Sequence, residues 1–247
     1  MGKAAALFLT LLLAGCTVNL SRIQDPPRSV AVTTTTPWNS MMYLARTDSG
    51  VVVIDLGWAG GEGKLREGLR RIGAQPGDVR HVFLTHTHRD HIVGWRLLRH
   101  AHFHLAAPET ALFRGARHHA DFPSSAAERL IPSARPRAGE LEVRGFAGDA
   151  TFYLGRDTVL AFSTPGHTAG SAAYLLRGVL FVGDAVTYTP LIGFRSAKRI
   201  YTDDPDRSRS SVAALWKRVE QYRVDWVCTA HGKCSRFTAE FRRDALR

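Results

Sequence analysis

The sequence is short of cysteine, of long apolar runs and of acidic charge. Three cysteines in 247 residues are too few for a disulfide framework to stand in for a core, so the fold must rest on packing. Two of them, Cys228 and Cys234, flank His231 in CTAHGKC. In an oxidising compartment they can pair, yet closing so short a loop strains it, and two separate thiols are the favoured reading. At 247 residues the chain makes one large domain with a substantial core, and is too short for two plus linkers.

The apolar run is short as well. MGKAAALFLTLLLAGC carries one Lys and then an apolar stretch over residues 4–14, well under the roughly 20 residues that span a bilayer. It reads as a signal-peptide core, and Leu13-Ala14-Gly15-Cys16 resembles the lipobox of bacterial lipoproteins. The expectation is a signal peptide over residues 1–15, lipidation at Cys16, a polar tether with Pro26-Pro27 over residues 16–28, and one catalytic-sized domain over residues 29–247. Thr17, rather than Asp, after the cysteine points to the periplasmic side of the outer membrane.

Acidic residues number 22 against 33 basic ones, a formal charge of +11. Beside an acyl anchor that balance attracts anionic lipid. The arginines are scattered rather than striped, which argues against a nucleic-acid partner.

Strand-like and helix-like segments alternate, with no internal repeat. Residues 43–46 and 51–55 flank Asp48-Ser49-Gly50, a hairpin signal. Leu65, Leu69 and Ile72 recur at helical spacing before Gly73. Strands are expected over residues 82–85, 102–106, 159–163, 172–176, 179–182 and 226–229, and helices over 62–72, 92–99, 204–222 and 237–243. Residues 114–138, rich in Arg, Pro, Ser and His, have the least pattern and read as a lid or a substrate-facing insertion.

FLTHTHRDHIVG places His86, His88, Asp90 and His91 directly after a strand. Four such side chains in a packed core would need many partners, and a metal supplies them. Three more polar side chains follow later strands, each bracketed by glycine: His167 in PGHT, Asp184 in VGDA and His231 in AHGK. One donor arriving from each of several strand ends is how a rigid sheet edge builds a metal site. His100, His102 and His104 alternate, so a strand would put them on one face as a possible mimic of a second site, although histidines in such runs are usually ordinary packed or surface groups. His118 and His119 could face substrate, with nothing in the pattern to support it.

Taken in order, THTHRDH, PGHT, GD and the late HG resemble the metallo-β-lactamase superfamily. The resemblance implies an α/β fold of the α+β type, an αββα sandwich of two mixed sheets with outer helices. It implies that His86, His88 and His167 bind one divalent ion, that Asp90, His91 and His231 bind a second, and that Asp184 bridges them. Asp55, ending VVVID, matches the aspartate that orients the ligand loop from behind. Zinc is the default for such donors, with iron or manganese also suited. The implied activity is a hydrolase in which hydroxide held between two ions cleaves an ester, lactone, thioester or related small-molecule bond, and in which Asp90 handles the proton. An Asp at position 184 is more like the glyoxalase II and lactonase branches than the dedicated β-lactamases, leaving β-lactam cleavage as a side reaction. A mononuclear-iron sulfur dioxygenase is the alternative.

Overall fold

The computed structural model describes residues 29–33, 40–58, 60–130, 135–189 and 191–247. The signal-like run, Cys16 and the 16–28 tether lie outside them. Strands β1 (Ser29–Thr33), β2 (Met41–Thr47), β3 (Gly50–Ile54), β4 (Val79–Phe83), β5 (His102–Ala106) and β6 (Glu142–Phe146) form a six-stranded sheet in chain order. Its first two pairings are antiparallel and its last three parallel. A second six-stranded sheet contains β7 (Ala150–Leu154), β8 (Asp157–Ser163), β9 (Ala172–Leu176), β10 (Val179–Phe181), β13 (Trp226–Cys228) and β14 (Cys234–Arg236), in the order β14-β13-β10-β9-β8-β7. Between them in sequence, β11 (Val186–Thr189) and β12 (Gly193–Ser196) pair as a separate hairpin.

Side-chain alternation divides the interior into three layers. Along β2 and β3, Met41, Tyr43, Val52 and Ile54 meet Val159, Ala161, Tyr174 and Leu176 of the opposing sheet. Met42, Leu44, Val51 and Val53 point the other way, which is why VVVI is apolar at every position: both faces of the strand are covered. The helix α1 (Gly61–Arg71) lays Leu65 and Leu69 on that outer face, both fully buried, and each such burial stabilises by about 2 kcal/mol. Two shorter helices follow, α2 (Ala107–Phe113) and α3 (Phe122–Leu130). The outer face of the second sheet is covered by Val212, Leu215, Trp216 and Val219 of α4 (Pro205–Val219) and by Phe241 of α5 (Ala239–Asp244). Asp204 caps α4 by accepting from the Arg207 amide at 2.9 Å. Two mixed sheets therefore face each other with helices outside, the αββα arrangement expected from the sequence.

Several local expectations need correction. Residues 93–98 wind as a 3-10 turn rather than an α-helix, because the Val93 and Gly94 amides donate to Gly57 and Leu56 carbonyls of the neighbouring loop. The pattern-poor 114–138 segment contains α3 and two buried charged side chains, Asp121 and Arg135. The strands β6, β7, β11 and β12 were not anticipated, since exposed Glu142, Arg144 and Gly145 hide the alternation of β6. Cys228 and Cys234 form a disulfide, which overturns the separate-thiol reading. The chain doubles back into the β13–β14 ladder, where the two cysteines are direct cross-strand neighbours, so no strained loop has to close.

Candidate metal centre

The strand β4 ends at Phe83, and Thr85 through His91 leave the sheet in a loop and a single 3-10 turn. His86, His88 and His167 converge there. His86 Nε2 lies 3.1 Å from His88 Nδ1, and His167 Nε2 lies 3.2 and 3.1 Å from those two atoms. Three ring nitrogens this close cannot satisfy one another if all present lone pairs, and their outer partners show that they do. Thr85 Oγ1 donates to Asp55 Oδ2 at 2.8 Å, so it accepts from His86 Nδ1 at 3.1 Å. Thr202 Oγ1 donates to the Lys198 carbonyl at 2.7 Å, so it accepts from His167 Nδ1 at 3.1 Å. His88 Nε2 donates to Asp121 Oδ2 at 3.1 Å, because a carboxylate only accepts. Each ring is thereby fixed in the tautomer that turns a bare nitrogen toward the common point.

A second group adjoins the first. His91 Nδ1 donates to Asp55 Oδ2 at 3.0 Å, which aims its Nε2 inward. His231 Nε2 lies 3.0 Å from Asp90 Oδ2 and 3.2 Å from Asp184 Oδ2. Asp184 stands between the groups, its Oδ2 3.7 Å from His167 Nε2 and its Oδ1 3.7 Å from His91 Nε2. His91 Nε2 and Asp184 Oδ1 are both sealed from solvent and neither makes a hydrogen bond. Buried atoms left this way are costly unless a ligand completes them. The donor set, five imidazoles and two carboxylates, fits divalent ions of the zinc type. Both His86-His88-His167 and Asp90-His91-His231 have ligand atoms within 4.8 Å of one another, as do His86-His91-Asp184 and His88-His119-Asp121.

The two groups differ electrically. Burial holds His86 well below the ordinary histidine range, aided by the neighbouring imidazoles, and burial together with His88 takes His167 down to about 3. His91 is also opposed by burial, but the Asp90, Asp55 and Asp184 carboxylates raise it to about 9. Burial works against Asp90 and Asp184 as anions, yet His91 and His231 hold both below the usual carboxylate range.

Backbone geometry brings these loops together. Asp55 adopts a left-handed φ of 57° at the end of β3, a conformation Asp tolerates better than most residues. Its Oδ1 accepts from the Thr85 amide at 2.8 Å, so one carboxylate supports both His86 and His91. Gly183, with φ 54°, precedes Asp184, and a Cβ there would sit 2.6 Å from Thr85 Oγ1. Only glycine lets the two ligand-bearing loops approach so closely.

All seven donors singled out from the sequence, with Asp55 behind them, thus lie together in one place. Asp121, Thr85 and Thr202 were missed. Asp121 and Thr202 lie 33 and 35 residues from their histidines, and Asp121 belongs to the segment read as a patternless insertion, whereas Thr85 adjoins His86 but was read only as the end of a strand. His81, His102 and His104 belong to none of the metal-sized groupings among the described residues.

A model of the metallo-beta-lactamase superfamily matches residues 35–231 and so ends on His231. The chain belongs to that superfamily. Among curated proteins it is 32% identical over 183 residues to a probable metallo-hydrolase of Mycobacterium bovis, with 58% of this chain and 56% of that protein covered. It is 28% identical over 151 residues to a probable polyketide biosynthesis zinc-dependent hydrolase of Bacillus velezensis, with 60% and 56% covered. The chain thus spans little more than half the length of these curated relatives. Among solved structures, a B3 metallo-beta-lactamase with an active-site glutamic acid superposes with a TM-score of 0.63 at 20% identity, covering 87% of this chain and 82% of the other. A superfamily protein from Sulfolobus tokodaii gives 0.59 at 19% identity, covering 84% and 78%. These likenesses establish the superfamily's shared fold.

Proposed function

We propose that this chain is a metal-dependent hydrolase of a small-molecule ester, lactone, thioester or related bond. The observation that carries it is the convergence of bare ring nitrogens from His86, His88 and His167, each locked in that tautomer by an outer hydrogen bond, beside the inward-aimed Nε2 of His91. In this reading His86, His88 and His167 hold one ion, Asp90, His91 and His231 hold a second, and Asp184 serves both. Two divalent ions, zinc by default and iron or manganese by chemistry also suited, would polarise the scissile carbonyl and bring a water's pKa toward neutrality.

The protein's own residues do the rest. Asp90 Oδ2, on a mostly buried side chain 3.0 Å from His231 Nε2, orients the attacking water and takes its proton. Asp184 keeps the two histidine groups in register, and Asp55 and Asp121 keep the rings from turning. The carboxylates facing His91 and His231 also mean that ion uptake on that side must displace protons.

The N-terminal sequence supports a lipid-anchored protein of the cell envelope, on the periplasmic side of the outer membrane, with Cys16 as the acylated residue. The Cys228–Cys234 disulfide accords with an oxidising compartment, and no helix among the described residues is long and apolar enough to cross a membrane. Palmitate labelling that disappears in Cys16→Ser checks this part.

The hydrolase reading is tested by metal quantitation beside a screen of lactones, thioesters, aryl esters, phosphodiesters and β-lactams, with His88→Ala as control. Two ions per chain and one class of hydrolysis lost in His88→Ala are expected. Protein that stays empty when offered divalent ions would sink the reading, and one iron per chain with oxygen uptake would replace it with the sulfur dioxygenase alternative.

A further inference from the structure

Glu109 is a carboxylate in the first turn of α2, fully buried and part of none of the metal-sized groupings among the described residues. Its two oxygens serve two different loops. Oε2 accepts from the Thr87 amide at 2.9 Å and from Thr87 Oγ1 at 2.5 Å. Oε1 accepts from Thr168 Oγ1 at 2.7 Å and from the Gly170 amide at 2.9 Å. Thr87 lies between His86 and His88, and Thr168 follows His167. Every histidine of the three-nitrogen group is therefore one residue away from a partner of this carboxylate.

Two further features show that the junction is built rather than incidental. The Arg135 guanidinium, itself buried, donates to the Thr87 carbonyl at 3.0 Å and to the Leu112 carbonyl at 2.6 Å, so the amide, hydroxyl and carbonyl of Thr87 are all tied. A Cβ on Gly170 would lie 2.8 Å from Glu109 Cγ, so the loop after His167 comes this close only because residue 170 is glycine. Four donors aimed at two oxygens suit a carboxylate. An amide of the same shape would turn its NH2 against one pair of them.

We propose that Glu109 is a positioning residue for the first metal site, a clamp that fixes the THTH and PGHT loops at the separation that brings the His86, His88 and His167 nitrogens together. The clamp rests on the metal-centre reading above. It acts through the backbone on either side of the histidines, while Asp55, Asp121 and Thr202 act on the rings themselves.

The test titrates the metal-free full chain and its Glu109→Gln variant with Zn2+ by calorimetry and with Co2+ by visible absorption. Glu109→Gln is expected to weaken the three-histidine site by roughly 10- to 100-fold, the range for lost outer-shell support. Its cobalt spectrum should change, while the step belonging to Asp90, His91 and His231 moves less. Thr168→Val, which removes a single hydroxyl donor and keeps the side-chain shape, should weaken the same step about threefold to tenfold and serves where Glu109→Gln does not fold. A role confined to packing would lower Tm yet leave the folded variants with wild-type affinity and spectrum, and that result overturns the clamp. Wild-type protein that takes up neither metal overturns the metal centre itself, a different and distinguishable failure.

Discussion

Two clusters of histidines share the first sheet and meet different fates. His86, His88 and His91 follow the end of β4, where the chain has left the ladder and four aspartates, Asp55, Asp90, Asp121 and Asp184, reach their rings or stand beside them. His81, His102 and His104 sit within β4 and β5, with His81 paired to His102 across the parallel ladder. His104 stacks on Phe83 at 4.6 Å and meets Phe152 edge-on at 4.8 Å. Its ring Nε2 lies 3.0 Å from His81 Nδ1. Inside a strand, an imidazole is fixed by the pleat and serves as a flat packing group. Past the strand end, a loop released from the ladder and the carboxylates around it let the ring turn a nitrogen toward a shared point. The identity of the residue does not decide the role; the freedom of the backbone and the supply of acceptors do.

The sharpest way to break this comparison is to remove one imidazole from each cluster. His86→Ala should cost the first site more than the roughly 100-fold that outer-shell changes produce, with hydrolysis lost alongside. His104→Phe should leave metal content per folded chain unchanged. Equal metal loss in both, read by elemental analysis, would erase the distinction.

Asp55→Asn comes next. It removes a carboxylate that accepts from Thr85 and His91 at once, and a loss of about 10- to 100-fold in metal affinity is expected by calorimetry. A wild-type isotherm would show that those tautomers are held by something else.

The ligand cluster also draws on a covalent support that the packed one lacks, since the disulfide closes the loop bearing His231. Replacing both Cys228 and Cys234 by Ser should destabilise the chain by about 2 kcal/mol in urea unfolding, from the entropy of so short a loop. No change in the unfolding midpoint would deny the bridge a stabilising role.

A pH series sharpens the contrast from the packed side. Burial, then His81, Arg144 and His102, hold His104 at about 3, with Glu142 opposing. An unfolded histidine takes a proton near 6.5. Between those values the unfolded chain binds more protons, so this contribution to stability is complete above about 6.5 and is lost as pH falls toward 3. In metal-stripped protein, unfolding free energies from pH 7 to 4 should decline less steeply in His104→Phe than in wild type. Parallel declines would show that His104 does not govern the acid limb.

The smallest effect belongs to His102, one-third exposed and paired with exposed Glu142 at 2.7 Å. His102→Gln should change stability by no more than about 0.5 kcal/mol, and a larger shift in Tm would mean that this pair is part of the packed cluster.

Much of the architecture was legible because its signals are local. The continuous apolar run VVVI, the helical spacing of Leu65 and Leu69, and the capping Asp204 each report their own surroundings. The hairpin β11–β12 and the strand β6 escaped because glycine, arginine and glutamate interrupt their alternation. The disulfide was misjudged for a related reason: spacing alone does not say whether the chain between two cysteines loops or folds back as a ladder.

By itself the sequence determined which donors exist, in what order, and that each follows a strand end, since glycine turns and histidine spacing are properties of adjacent residues. Only the tertiary structure decided which nitrogen of each ring faces inward and what holds it there. Those choices rest on Thr85 and Asp55, and on Asp121 and Thr202. Such contacts depend on how two sheets and their loops are set a few ångströms apart, a quantity that no stretch of neighbouring residues encodes alone.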